Sequence, residues 1–232
     1  LKNQRMDCLI LDMLKLKGRK SSSFIWEKIL DRIKDCKDTV RVAIAGKYTE
    51  LKDAYKSIWE ALTHAALANC VKIDIKYIDV EDKNLKEKLK NADGILIPGG
   101  FGDRGIEGKI NVVRYARENK VPFLGLCLGM QCSVIEFARN VCGMKNANST
   151  EFNPKTPYPV VDFLPEQKNI TKKGGTMRLG QYPCTLKKGS LAFKSYKKSL
   201  VFERHRHRYE FNNKFRKKIE NKGLTVTGEY KD

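Results

Sequence analysis

Residues 121–131 read Val-Pro-Phe-Leu-Gly-Leu-Cys-Leu-Gly-Met-Gln, an apolar run that turns at Gly125-Leu126-Cys127-Leu128-Gly129 into a helix-like pattern. A thiol with a glycine two residues away on each side, between a strand and a helix, is the pattern of a nucleophile elbow. The turn is so sharp that side chains at the flanking positions would strike neighbouring backbone, so glycine is required there. Such a turn lifts Cys127 clear of the sheet and sets it at the start of the next helix. The N–H groups and positive dipole end of that helix favour a thiolate and can hold an oxyanion. A cysteine without this setting is most often a small buried hydrophobe. The paired glycines shift the reading to an activated thiol.

The segments around the elbow define the fold class. Val40–Ala45 is an apolar strand ending at Gly46, and Asp53 is a candidate N-cap for a helix through about Leu67. A strand at Lys72–Asp79 and a charged helix at about 84–91 follow. Gly94–Pro98 is a third strand, about Glu107–Asn119 a third helix, and Val121–Leu126 the fourth strand. The helix after Cys127 carries an apolar stripe at Met130, Val134, Phe137, Ala138 and Val141. Strands alternating with helices predict an α/β fold, a mostly parallel sheet flanked by helices on both faces. Ligand sites in such sheets form at the carboxyl ends of strands, where Gly99-Gly100 and Cys127 both fall.

Beyond about residue 150 the pattern changes to short strands of antiparallel type: Val160–Leu164, Gly175–Leu179, Cys184–Leu186 and Leu200–Glu203. The polar stretch Glu166–Lys173 reads as a mobile loop. A helix around Asn212–Lys222 and a strand at Leu224–Gly228 come last. Residues 1–38 are polar and irregular, with one amphipathic helix around Ser23–Cys36.

A chain of 232 residues with 41% hydrophobic content can bury a sizeable core. Its apolar runs are too short to span a membrane, and no signal-peptide pattern follows Leu1-Lys2-Asn3-Gln4-Arg5. Seven scattered cysteines without CxxC spacing, with only His64, His205 and His207 beside them, predict free thiols, no metal site and a cytoplasmic setting. The net charge of +19 raises the question of nucleic acid. The lysines, however, are spread along the chain and interleaved with Glu, as in Asn84-Leu85-Lys86-Glu87-Lys88, and no recognition motif accompanies them. A solvated basic surface, with no nucleic-acid or membrane partner, is the simpler reading.

The loop Gly99-Gly100-Phe101-Gly102 exposes backbone N–H groups after a strand, as an oxyanion hole requires. Pro98-Gly99-Gly100-Phe101-Gly102 with Arg104-Gly105, together with Gly125–Gln131, resembles the class I (triad-type) glutamine amidotransferases. Longer strings narrow the resemblance. These are Gly46-Lys47-Tyr48 with Asp53–Ser57, Asn146–Phe152, Gly174–Gly180, and Glu203-Arg204-His205-Arg206-His207-Arg208-Tyr209-Glu210. Together they resemble the C-terminal glutaminase domain of the CTP synthases, over nearly the whole chain.

The resemblance implies a flavodoxin-like core and a reaction in which Cys127 attacks the amide of L-glutamine, forming a thioester and releasing ammonia. It implies Gly100 and Leu128 as backbone donors to the oxyanion, and Gln131, Glu151 and Arg208, with the same two, as substrate contacts. Glu151 suits the substrate's ammonium and Arg208 its carboxylate. Phe101 is a candidate contact for GTP, the family's allosteric activator, and the loop before Gly174 a candidate lid. Residues 1–38 would be the end of the synthase domain and a linker helix, and 39–232 the glutaminase domain. The implied full enzyme is a homotetramer whose amidoligase domain, in the same polypeptide, uses ATP and Mg2+ to aminate UTP to CTP.

The family's base and its orienting carboxylate lie in a His-Pro-Glu string that these residues do not contain. His64 falls mid-helix, and His205 and His207 read as structural or substrate-positioning groups. The chain is therefore expected to be a fragment lacking its C-terminal end. The alternative is a catalytically silent module that binds glutamine or nucleotide for regulation or assembly.

Overall fold

The computed structural model describes residues 4, 6–16, 24–47, 52–163 and 177–230. The chain divides into two compact units, Leu1–Val40 with Glu60–Ile73, and Arg41–Trp59 with Asp74–Asp232. The elements in order are α1 (Met6–Met13), α2 (Phe24–Asp35), β1 (Thr39–Gly46), α3 (Lys56–Asn69), β2 (Lys72–Asp79), α4 (Leu85–Leu89) and β3 (Gly94–Ile97). Then come α5 (Ile106–Glu118), β4 (Phe123–Gly125), α6 (Leu128–Asn140), β5 (Asn148–Ser149), β6 (Pro159–Phe163) and β7 (Arg178–Leu186). The last are α7 (Leu191–Tyr196), β8 (Leu200–His207), β9 (Tyr209–Phe211), α8 (Arg216–Glu220) and β10 (Gly228–Glu229).

The central sheet has the order β2-β1-β3-β4, with β1–β3 and β3–β4 parallel. Ala43, Ile44 and Ala45 of β1 and Ile95, Leu96 and Ile97 of β3 are buried, as expected of inner strands covered on both faces. The α/β class and the parallel core stand as predicted, and an antiparallel and a mixed three-stranded sheet follow in the C-terminal half. One is β10-β7-β8; the other joins β5 and β6 in parallel and β6 to β9 antiparallel.

Local expectations needed correction at several points. Asp53 sits inside a 3-10 turn, Lys52–Tyr55, rather than at the N-cap of α3. α6 buries Leu128, Gln131, Cys132, Val134, Ile135, Glu136 and Ala138 and leaves Met130 40% exposed, so its buried face is rotated from the predicted stripe. Leu124 is exposed because β4 is the edge strand. The two strands expected on either side of Pro183 are one strand, β7. Pro183 lies opposite Phe202 of β8, beyond the two-residue pairing with β10, so its missing N–H breaks no bond on that side. β8 runs on to His207 and β9 follows at once, turning the Arg-rich string into two strands. Residues 224–227 are irregular and only Gly228–Glu229 pair. The expected loop Glu166–Lys173, the lid and Gly174-Gly175 lie outside the described residues.

α5 and α6 are tied by a buried ion pair. Glu136 accepts from Arg117 Nη2 at 2.7 Å and Nε at 3.0 Å, and from Asn140 Nδ2 at 3.0 Å. These bonds satisfy a carboxylate whose side chain is 1% exposed. Around them Ile97, Leu128 and Ile135 are fully buried, each contributing about 1.5–3 kcal/mol of transfer free energy.

Candidate active site

The elbow is held by collisions that only glycine avoids. A Cβ on Gly125 would lie 2.5 Å from the carbonyl carbon of Gly129 and 2.6 Å from the N of Met130. A Cβ on Gly129 would run into the carbonyl oxygen of Ile97 in β3. Between them Cys127 is the N-cap of α6 with φ 49° and ψ −101°, a conformation that costs a side-chain-bearing residue about 1–3 kcal/mol. The flanking bonds fix it: Leu126 N–H donates to Ile97 O at 2.9 Å, and Gln131 N–H to Cys127 O at 3.1 Å.

Cys127 opens onto a cavity of about 80 Å³ lined by Gly100, Phe101, Gln131, Glu151, His207 and Arg208, with Met177 and Tyr209 completing it. The Gly-rich loop approaches closely, since a Cβ on Gly99 would be 3.5 Å from that of Cys127. Lys47 Nζ donates to Phe101 O at 3.0 Å and holds that loop at the end of β1. Gln131 is 5% exposed; its Nε2 donates to Tyr209 O at 3.2 Å, and its Oε1 is buried without a partner. The Leu128 side chain is buried in the core, and its backbone N–H, next to Cys127 at the start of α6, favours the charged form of the thiol. The predicted site residues are thus brought to one place, Leu128 by its backbone.

The electrostatics overturn one expectation. Burial of its surroundings pushes the Cys127 thiol up from 9.0, against the Leu128 N–H that lowers it, and the nearby Glu151 carboxylate adds to the rise. The residue is solvent-exposed, and the shift runs opposite to the one expected from the helix end alone. One and a half turns along α6, Cys132 is buried and its thiol is pushed up to about 12, which leaves it inert.

Sequence reasoning left His207 between a structural and a substrate-positioning role, and it missed Met177 and Tyr209 as cavity wall. The signal was their place in the Gly174–Gly180 and Arg-rich strings. His205 Nδ1 lies 2.8 Å from His207 Nε2. Burial lowers both imidazoles, with Arg178 lowering His205 further and His205 lowering His207. Arg178 stacks over Tyr182 at 5.4 Å and Tyr230 at 5.2 Å, and Tyr182 meets His205 edge-on. Phe101 is 52% exposed, with the Arg206 guanidinium 5.6 Å over its ring.

A wider cleft of about 360 Å³ lies among Arg41, Lys76, Tyr77 and Glu87. No cysteine, serine or threonine lines it, and the smaller cavity, which Cys127 lines, is the candidate site. Among the described residues no helix is long and apolar enough to cross a membrane, and no group of His, Cys, Asp and Glu is arranged to hold a metal ion.

Residues 50–232 match the family model described as glutamine amidotransferase class-I. The chain is 54% identical over 231 residues to a CTP synthase of Caldanaerobacter subterraneus subsp. tengcongensis, covering 98% of this chain and 43% of that protein. It is 52% identical over 241 residues to a CTP synthase of Methanocaldococcus jannaschii, covering all of this chain and 45% of that protein. The chain thus spans less than half the length of these relatives. Among solved structures, the Trypanosoma brucei CTPS glutaminase domain with bound acivicin superposes with a TM-score of 0.74 at 39% identity. That match covers 82% of this chain and 74% of the other. By sequence, fold and the elbow that carries Cys127, this chain belongs to the class I glutamine amidotransferases, in the line of the CTP synthase glutaminase domains.

Proposed function

We propose that this chain is the glutamine-hydrolysing part of a CTP synthase, with Cys127 as nucleophile. The observation that carries the reading is a strained cysteine opening onto the same small cavity as Gln131, Glu151 and Arg208. Cys127 Sγ attacks the side-chain amide carbon of L-glutamine. The Leu128 and Gly100 N–H groups receive the charge that develops on the carbonyl oxygen. Glu151 holds the substrate's ammonium, Arg208 its carboxylate, and the free Oε1 of Gln131 accepts from the ammonium. Collapse of the tetrahedral adduct expels ammonia and leaves a glutamyl thioester. Water then releases glutamate and restores the thiol.

The raised pKa of Cys127 makes a general base a requirement of the first step and a proton donor a requirement of ammonia release. The resemblance assigns both duties to a histidine oriented by a glutamate, outside the residues present in this sequence. The ammonia would serve ATP- and Mg2+-dependent amination of UTP in an amidoligase domain of the same polypeptide, in a homotetrameric enzyme. GTP would act as allosteric activator. The exposed Phe101 ring with Arg206 above it has the chemistry for a purine base and its phosphates.

The test is incubation of the full-length protein with a glutamine-mimicking electrophile, followed by peptide mass spectrometry. Cys127 is expected to carry the label, free glutamine to protect it, and Cys127→Ala to abolish both labelling and ammonia release. An unlabelled Cys127 would sink the thioester mechanism. Protection by glutamine without ammonia release would instead leave a silent binding module.

A further inference from the structure

Two other cysteines meet in the smaller unit. Cys36, just after α2, lies with its Sγ 3.1 Å from that of Cys70, just after α3, although 34 residues separate them. The contact is held by backbone. Two residues beyond each cysteine, Lys72 N–H donates to Asp38 O at 2.7 Å, so segments 36–38 and 70–72 are clamped alongside each other. Cys36 Sγ also lies 2.8 Å from Arg32 O, which aligns the thiol.

Cys70 occupies an unusual place for its residue type. Val71 N–H bonds to Ala66 O and Cys70 N–H to Leu67 O, the paired bonds of a helix C-terminal motif whose left-handed residue is usually glycine. Cys70 takes that position with φ 53°. The backbone favours glycine there, yet the side chain present is a thiol touching a second thiol.

We propose that Cys36 and Cys70 form a reversible dithiol–disulfide site, with a low-molecular-weight disulfide such as oxidised glutathione as the co-reactant. Exposure sets the order of events. Cys36 is 3% exposed, whereas Cys70 is partly open to solvent. The Cys70 thiolate attacks one sulfur of oxidised glutathione, forming a mixed disulfide as one glutathione thiolate leaves. The Cys36 thiolate then attacks the Cys70 sulfur, forming the Cys36–Cys70 bond and expelling the second glutathione thiolate. The protein loses two electrons and two protons; one glutathione disulfide becomes two glutathione thiols. Contact with Cys70, and then burial, holds the Cys36 thiol above its ordinary pKa, which suits it to the resolving rather than the attacking role. The bond would fasten the end of α2 to the end of α3, and a reducing dithiol would release it.

The experiment treats the folded full-length protein with oxidised glutathione, blocks remaining thiols, and maps cysteine peptides by mass spectrometry. The expected product is a Cys36–Cys70 peptide pair two hydrogens lighter than the separate peptides, absent after dithiothreitol. Cys70→Gly, which the backbone favours, should keep native circular dichroism and leave Cys36 a free thiol. Recovery of both cysteines as blocked thiols would overturn the proposal. A stable glutathione adduct on Cys70 beside a free Cys36 would overturn it equally.

Discussion

The two walls of the cavity are built by different means. On the Cys127 side, position is set by backbone: Gly125 and Gly129 admit no added atom, β4 carries the elbow against Ile97 of β3, and α6 is anchored by Leu128, Ile135 and Glu136 in the core. On the opposite side, His207 and Tyr209 stand on the β7–β8 and β6–β9 ladders, their side chains meeting polar and aromatic neighbours, with Glu151 and Arg208 beside them. There His205 contacts His207, Arg178 lies over two tyrosines, and Phe163 packs on Tyr209 at 4.4 Å. The β7–β8 hairpin beneath them leaves Leu179 and Phe202 more than half exposed. The nucleophile wall is therefore a product of close packing and intolerant of volume. The recognition wall is polar, tolerant of small changes, and sensitive to charge and pH.

Glycine substitutions test that contrast most severely. Gly129→Val would drive its side chain into the Ile97 carbonyl, which cannot retreat without breaking the sheet. A loss of about 4 kcal/mol or more in urea unfolding, with loss of Cys127 labelling, is expected. In the hairpin, Gly180 has φ 109°, but a Cβ added there would meet nothing within 4 Å. Gly180→Ala should cost only backbone strain, about 1–2 kcal/mol. Equal losses at the two sites would dissolve the distinction between the walls.

The ion pair behind the nucleophile comes next. Glu136→Ala leaves Arg117 with only Glu118 at 3.7 Å, and its side chain is 34% exposed and so can recover part of its hydration. A destabilisation of about 2–3 kcal/mol is expected, below that of a wholly buried pair. Cys127 labelling should slow as α6 loosens against α5. Unchanged stability would show that the packed wall needs no ionic anchor.

The same division explains what the sequence disclosed. The inner parallel strands β1 and β3 are apolar runs covered on both faces, and the elbow glycines answer to local backbone geometry, so both were legible from neighbouring residues. β8 was cut short because Glu203-Arg204-His205-Arg206-His207 contains no apolar period. Its strand character comes from pairing with Arg178–Thr185, far off in sequence. The thiol's direction of shift was misread for a related reason. The helix end is local and visible in the sequence, whereas the crowding around Cys127 and the nearness of Glu151 come from segments the sequence does not place beside it.

On the recognition wall, Arg208→Lys should preserve the fold and weaken substrate binding. A lysine keeps the charge but cannot make two parallel bonds to a carboxylate. In the full-length enzyme a fall of roughly 10–30-fold in kcat/KM for glutamine is expected, expressed mainly as a higher KM. A fall confined to kcat would move Arg208 from substrate binding to the chemical step.

The smallest expected effect is the pH response of the histidine pair. Both imidazoles are lowered from 6.5, first by burial, with Arg178 adding to each and His205 adding to His207. Glu203 opposes this at His205, and the Tyr209 backbone opposes it at His207. In the unfolded chain they take up protons at a higher pH than in the folded one. The stability they confer is therefore complete above about 6.5 and is lost as pH falls from there through the folded-state values. Urea midpoints at pH 7.5 and 5.5 should differ more for the native protein than for a His205→Gln, His207→Gln double variant. The Cys127 elbow should be indifferent over the same range, because its thiol is shifted upward from 9.0, away from that range. Identical pH slopes for the two proteins would mean that the pair is not buried strongly enough to feel its surroundings, and the recognition wall would then owe its order to Arg178 and the tyrosines alone.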